Sequence, residues 1–351
     1  MDVSPVETSK MLKSCLGEGV SLRVKAIAAI SLLNRMSFAE QQYEAADLHM
    51  RALQKLTAQR FRQLPDFCWL VVVWSDLHLT AVQLRAPYME YYVHPDFRAR
   101  PFSGKFQYDT ATYFCRILPS ELVISRSFRT VATRLHEGLR ECGYAYDQKD
   151  LDWKVFRGMS YDIAYLLAET QVGIDKDGTL EEKLITIGCQ MQFWGMLHIT
   201  VPQSGLQSFH LSRLESLLAS IQPSTLCKRW LEHTGSLDLL LWSLCNAVRS
   251  ALYPQTTGAL PPWLQDHVSH IKNLLGIANA HDLGTRLHSL PCSKSWNEPA
   301  YRSFCSRTPT DQDLAARTKS TSQFHVTTFQ DLRLDLDFPS SSPHPENDEQ
   351  V

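Results

Sequence analysis

The chain of 351 residues predicts an all-α fold, a large irregular array of helices without a significant sheet. Three observations carry that prediction. Apolar residues recur at helical spacing through most of the chain ahead of Arg307. Two segments, Leu64–Pro87 and Ser236–Tyr253, are apolar on nearly every side, which marks helices enclosed by other structure. Ahead of Arg307 no convincing run of strands alternates apolar and polar residues, and no repeat of fixed period is visible.

Taken in order, Leu22–Met36 opens with apolar residues at helical spacing, and a second helix is expected over about Ala39–Phe61. On that helix Ala45, His49, Ala52, Leu53 and Leu56 fall on one face. Leu64-Pro65 starts the central helix, where proline is tolerated near a helix start. Ser75, Asp76, His78, Thr80 and Gln83 interrupt its apolar run, so no window reaches the ~18 uninterrupted apolar residues of a membrane span. Prolines 87, 95 and 101 mark an irregular stretch, roughly Pro87–Tyr108. Phe128–Cys142 reads as an amphipathic helix capped by Gly143. Further helices are expected at Trp153–Glu169 and at Leu180–Ile199, whose acidic first turn suits a helix N-terminus. Others follow at Phe209–Ile221 (ended by Pro223), Ser236–Tyr253, Pro262–Leu275 (stopped by Gly276), Asp282–Leu290 and Glu298–Ser306.

Composition then divides the chain into a helical domain over residues 1–306 and an acidic, Ser/Thr-rich tail over 307–351, expected to be mobile. Within the tail, Phe329–Phe338 alternates Asp331, Asp335 and Asp337 with Leu332, Leu334, Leu336 and Phe338. Such alternation is the composition of an activation-type interaction peptide, with a short edge strand as the other reading.

Hydrophobic residues at 44% and charged residues at 21% allow a substantial core, enlarged by eight Trp and fifteen Phe. A net charge of −2 with scattered basic residues, densest at Arg98, Arg100 and Lys105, is not the basic stripe of a nucleic-acid module. The N-terminal MDVSPVETSKMLKSC has no apolar core or cleavage pattern, so no signal peptide is expected and the nine cysteines should stay reduced. None forms a C-x-x-C pair, which excludes the usual zinc-finger, zinc-ribbon and thioredoxin arrangements.

Several fragments of catalytic motifs occur. Asp175-x-Asp177-Gly178-Thr179 matches D-x-D-G-T and resembles the nucleophile loop of haloacid-dehalogenase-type phosphatases. That chemistry requires the loop to follow a buried parallel strand, and the residues ahead of Asp175 read as helix. The competing reading is a helix–helix turn using Gly178, with Glu181 and Glu182 opening the next helix. The same residues lack the third acidic position and closing Glu of an EF-hand. His136-Glu137 begins an H-E-x-x-H pattern, but position 140 is Arg. Gly158-x-Ser160-x-Asp162 lacks the closing glycine of a nucleophile elbow. His267 and His270, three apart on an amphipathic helix, read as surface or partly buried residues rather than ligands. Asp76 stands out because a carboxylate inside an apolar helix needs a hydrogen-bonded or cationic partner. It is either a switch or ligand contact, or a structural bridge to an Arg of a neighbouring helix; the bridge is the expectation.

Three segments resemble the helical regulatory domain of fungal zinc-cluster transcription factors. The first is Asp47-Leu-His49-Met-Arg-Ala-Leu53 leading into Leu64–Pro87, with its "Leu-Pro-x-Phe … Trp-x-Asp-Leu … x-Pro-x" sequence. The second is the buried Leu237–Ala251. The third is Trp263–Arg302, where Trp263-Leu-Gln-Asp precedes Leu274–Ile277, Asp282–Leu287 and Trp296–Tyr301. Together they cover most of Leu22–Arg302, although Thr57–Gln63 lacks the Gly-Gly often found in that family. The resemblance implies a nuclear role in transcription, commonly over a metabolic or secondary-metabolite gene cluster, through protein partners. Homodimerisation and a small ligand in a helical cavity are further expectations. It implies no catalytic, cofactor-binding or metal-binding residues. The six-Cys zinc cluster is absent from these residues. The expectation is therefore a regulator that borrows its DNA contacts, or the regulatory part of a longer protein whose cluster lies ahead of Met1. A phosphatase built on Asp175 and Asp177, and a helical scaffold outside transcription, are the rival readings.

Overall fold

Residues 22–95, 153–196, 205–252, 260–288, 290 and 294–306 are described by the structure, a computed structural model. They belong to one unit, Met1–Arg307. Among them are eleven α-helices, one 3-10 turn and no strand, in agreement with the all-α prediction. The expected helix Phe128–Cys142, the patch at Arg98, Arg100 and Lys105, His136-Glu137 and the whole tail with Phe329–Phe338 lie outside the described residues.

Helices α1 (Leu22–Ala39) and α2 (Tyr43–Thr57) form a hairpin. Its turn holds Gln41 in the left-handed region at φ 60°, and Asn34 Nδ2 donates to the Ala46 carbonyl at 2.6 Å across it. The buried face of α2 is Ala46, Asp47, Met50, Leu53 and Thr57. The stripe expected from sequence was Ala45, His49, Ala52, Leu53 and Leu56, and all of these except Leu53 are half-buried. The difference is a rotation of about one position. It arises because Met50 goes inward and because Asp47 and Thr57, polar but bonded, tolerate burial.

A 3-10 turn at Phe61–Gln63 leads to α3 (Asp66–Gln83), with Pro65 as its N-cap. This central helix is buried on nearly every side and packs on α1 and α2. Next come α4 (Trp153–Asp177) and α5 (Leu180–Met196), then α6 (Leu206–Leu218), α7 (Pro223–Thr234) and α8 (Asp238–Leu252). Helix α3 also contacts α4 and α6. The last three helices are α9 (Pro262–Leu274), α10 (Ala280–Leu287) and α11 (Lys294–Cys305).

Helix α8 is the second enclosed helix, buried continuously from Leu239 to Val248 and packed on α5, α6, α9 and α11. Its contact with α5 depends on Gly188, where a Cβ would lie 2.8 Å from Ser243 Oγ and 2.9 Å from the Trp242 ring. Only glycine lets the two helices approach that closely. Helix α9 ends in a Schellman turn: Gly276 has φ 63°, and the Ile277 N–H donates to the Lys272 carbonyl at 3.1 Å.

Two expectations are corrected here. Helix α4 runs to Asp177, not Glu169, because Gly173 leaves the helix intact with open space around it. Helix α7 was not foreseen. Pro223, by sequence a stop for the preceding helix, occupies the first turn of the next one, where its missing N–H costs nothing. No described helix is long and apolar enough to cross a membrane.

Candidate functional site

The central helix presents two polar side chains to its surroundings in opposite ways. Asp76 is 1% exposed and fully engaged. Arg85 donates to its Oδ1 from Nη1 and Nη2 at 3.2 and 3.1 Å, and the Met89 backbone N–H donates to Oδ2 at 2.8 Å. Burial pulls the carboxyl upward from its ordinary value; the Arg85 charge and the backbone N–H groups of Met89 and Tyr88 oppose it. Asp76 is thus a bridge, but its cation comes from the turn that follows its own helix rather than from a neighbouring one.

That turn explains the bridge. Leu84 closes α3 in the left-handed conformation at φ 55°, a geometry that costs a non-glycine residue about 1–2 kcal/mol. The chain then folds back, and the Arg85 guanidinium lies 3.7 Å from the Tyr88 ring centroid. Tyr88 donates its hydroxyl to Asp47 Oδ1 on α2 at 2.9 Å, and Arg51 pairs with Asp47 at 2.7 Å. Asp47, Asp76, Arg85 and Tyr88 therefore clamp the Arg-Ala-Pro turn to two helices.

His78, two positions on, is 5% exposed, and its Nε2 has no hydrogen-bond partner. Its ring is stacked on Phe38 at 5.5 Å and lies 5.0 Å from Trp194 and 6.0 Å from Trp74. Burial, and secondarily the charge of Arg35, lowers the imidazole to about 3, so it is neutral at physiological pH. Trp194 is fixed from behind by a chain of buried amides. Its indole N–H donates to Gln190 Oε1 at 2.7 Å, Gln190 donates to Gln171, and Gln171 donates to the Ala81 carbonyl.

The phosphatase-like residues sit elsewhere. Asp175 and Asp177 occupy the last turn of α4, and Gly178 makes the turn into α5. A Cβ on Gly178 would lie 2.5 Å from the Ile174 carbonyl oxygen. Thr179 and Glu182 form a reciprocal capping box, each side chain accepting from the other's backbone N–H at 3.2 and 2.8 Å. Asp175 pairs with Arg213 of α6 at 2.5 Å, and Glu181 is held by Arg229 and His233 of α7. These are the contacts of a helix–helix turn, and the strand on which the phosphatase loop depends is not found among the described residues.

His267 is buried and His270 half-buried on α9, and among the described residues no group of His, Cys, Asp and Glu is arranged to hold a metal ion. Cys68, Cys189, Cys227, Cys245 and Cys305 are not joined in disulfides.

Of the residues singled out from sequence, then, Asp76 is at an organised centre and Asp175 and Asp177 are at a turn. Arg35, Phe38, Trp74, His78 and Trp194 were not foreseen as a group. They come from three helices far apart in the chain, and the only local signal was a histidine interrupting an apolar run. No protein-family model, curated protein or solved structure matches the chain.

Proposed function

We propose that this chain is the helical regulatory domain of a transcriptional regulator or co-regulator of the fungal zinc-cluster type. It acts in the nucleus through protein partners and governs a metabolic or secondary-metabolite gene cluster. The observation that carries this reading is the behaviour of Leu64–Pro87, the segment on which the resemblance rests. Pro65 is the N-cap of a helix buried on nearly every side, and Asp76 of its Trp-x-Asp-Leu run anchors the Arg-Ala-Pro turn through Arg85 and the Met89 N–H. The signature residues thus belong to one structural unit, whose apolar and acidic positions are accounted for without any catalytic demand. The all-helical array around it is consistent with a domain whose output is protein contact.

The test is to tether the full chain to a foreign DNA-binding domain upstream of a reporter, with and without Phe329–Phe338. The reading expects altered transcription and nuclear accumulation of a fluorescent fusion. A silent reporter with a well-expressed fusion overturns it in favour of a scaffold. Magnesium-dependent phosphatase turnover lost in Asp175→Asn would overturn it in favour of an enzyme.

A further inference from the structure

The hairpin of α1 and α2 turns two unlike faces to its surroundings. Toward α3, on which both helices pack, it buries Ile27, Ala28, Phe38, Ala46, Met50 and Leu53. Away from it, large apolar side chains stand in water: Leu33 is 47% exposed, Met36 41% and Leu48 67%. The other exposed large apolar residues among the described ones, Tyr91, Leu231 and Leu274, lie singly on separate elements. Single exposed apolar residues are ordinary, whereas a group on one face marks a contact surface. Leu33 and Met36 are neighbours three apart on α1. The hydrogen bond from Asn34 to the Ala46 carbonyl sets the register of the hairpin, which brings Leu48 within about a turn of the level of Leu33.

The charges framing this patch are sorted by sign. Lys25, Ala29, Met36 and Glu40 follow at helical spacing along α1 and just past its end, with Leu33 beside them. Glu44, Leu48 and Lys55 do the same along α2. Each stripe runs from one charge, through an apolar middle, to the opposite charge. Because the helices are antiparallel, the exposed Glu40 and Glu44 gather at the turn, and the exposed Lys25 and Lys55 at the far end.

A surface with that pattern is complementary to itself. A two-fold axis running across the helices lays α1 on a second α1 and α2 on a second α2, each pair antiparallel. The acidic end of one copy then meets the basic end of the other, and Leu33 and Leu48, near the middle of their stripes, leave water together. The parallel arrangement would set like charges against each other, and a nucleic acid or anionic membrane would be repelled by the Glu40–Glu44 end. Helices of 18 and 15 residues are about 27 and 22 Å long. Side by side they give a face about 20 Å wide, the scale of the smaller stable interfaces at roughly 600 Å2 per partner.

We propose that the outer face of the α1–α2 hairpin is a self-association surface, through which two copies of this chain pair in an antiparallel four-helix contact centred on Leu33, Met36 and Leu48. It rests on this face and not on the regulatory reading: a monomeric chain leaves that reading as it stands, and a silent reporter leaves the dimer.

The test is sedimentation equilibrium of the purified full chain from ~1 to ~100 µM, which brackets an affinity on the order of micromolar. The mass should rise to twice the 40.0 kDa of one chain. Leu33→Glu and Leu48→Glu should each weaken association at least about tenfold without changing the helical circular dichroism, since both side chains are exposed. Two charge variants probe the antiparallel geometry. Lys25→Glu/Lys55→Glu makes both ends acidic and Glu40→Lys/Glu44→Lys makes both basic. Each alone should associate at least about tenfold more weakly than the unaltered chain, and an equimolar mixture of the two should recover the doubled mass. A non-specific apolar contact would not distinguish the mixture from its components. A monomer at ~100 µM overturns the proposal. So does a dimer indifferent to Leu33→Glu and Leu48→Glu, or a mixture that associates no better than either charge variant alone.

Discussion

Asp76 and His78 lie two positions apart on the same enclosed helix, both nearly inaccessible, yet their surroundings differ in kind. Around Asp76 every acceptor is used: Arg85, the Met89 N–H and, through Tyr88 and Asp47, helix α2. Around His78 the contacts are aromatic faces, and a ring nitrogen has no partner. Burial of a polar group is thus not by itself a sign of function. A fully bonded carboxylate holds a turn in place. A buried imidazole whose Nε2 is unbonded among the described residues holds nothing in place by hydrogen bonding.

The sharpest way to break this comparison is to remove the clamp. Asp76→Ala leaves the Met89 N–H without its acceptor and Arg85 without its buried carboxylate, and should cost about 3–5 kcal/mol in urea unfolding. The double variant Asp76→Leu/Arg85→Met should recover part of that loss, since it removes both charges together.

The second prediction concerns acid. His78 is held to about 3 in the folded chain, against ~6.5 when unfolded. Between those values the unfolded state binds the extra proton, so His78 lowers stability as pH falls below ~6.5, by up to about 1.4 kcal/mol per pH unit. His78→Leu should flatten the pH dependence of Tm by that increment. The remaining slope includes that of His210, buried and likewise lowered to about 3. A variant with the wild-type slope would show that His78 is protonated in the folded state.

A smaller effect sharpens the picture. Tyr88→Phe removes the hydroxyl bonded to Asp47 and should cost about 0.5–1.5 kcal/mol while leaving the stack on Arg85.

Much of the fold was legible because burial is written in one-dimensional patterns. The enclosed helices α3 and α8 follow from runs with no polar side, and the turn after α9 follows from a glycine at its left-handed position. Helix α7 was illegible because its buried residues are few, Leu226, Cys227 and Trp230, and its first residue is a proline that reads as a stop signal. The face of α2 was rotated because pattern reading counts Asp47 and Thr57 as outward, whereas their bonds to Tyr88 and to the Leu53 carbonyl let them turn in.

The candidate site was legible only in fragments. Asp76 was identifiable as a carboxylate in need of a partner, but Arg85 became that partner through a left-handed Leu84 that no local preference announces. The meeting of Phe38, Trp74, His78 and Trp194 depends on the packing of α1 against α3 and of α3 near the end of α5. Sequence spacing carries no trace of such a meeting.

Equilibrium urea unfolding of Asp76→Ala and His78→Leu, side by side at pH 7, tests the division of the central helix most directly. The account predicts a loss above about 3 kcal/mol for the first and a change within about 1 kcal/mol for the second, because the imidazole has no bond to lose. Comparable losses in the two variants would contradict it, and would make His78 as much a part of the scaffold as Asp76.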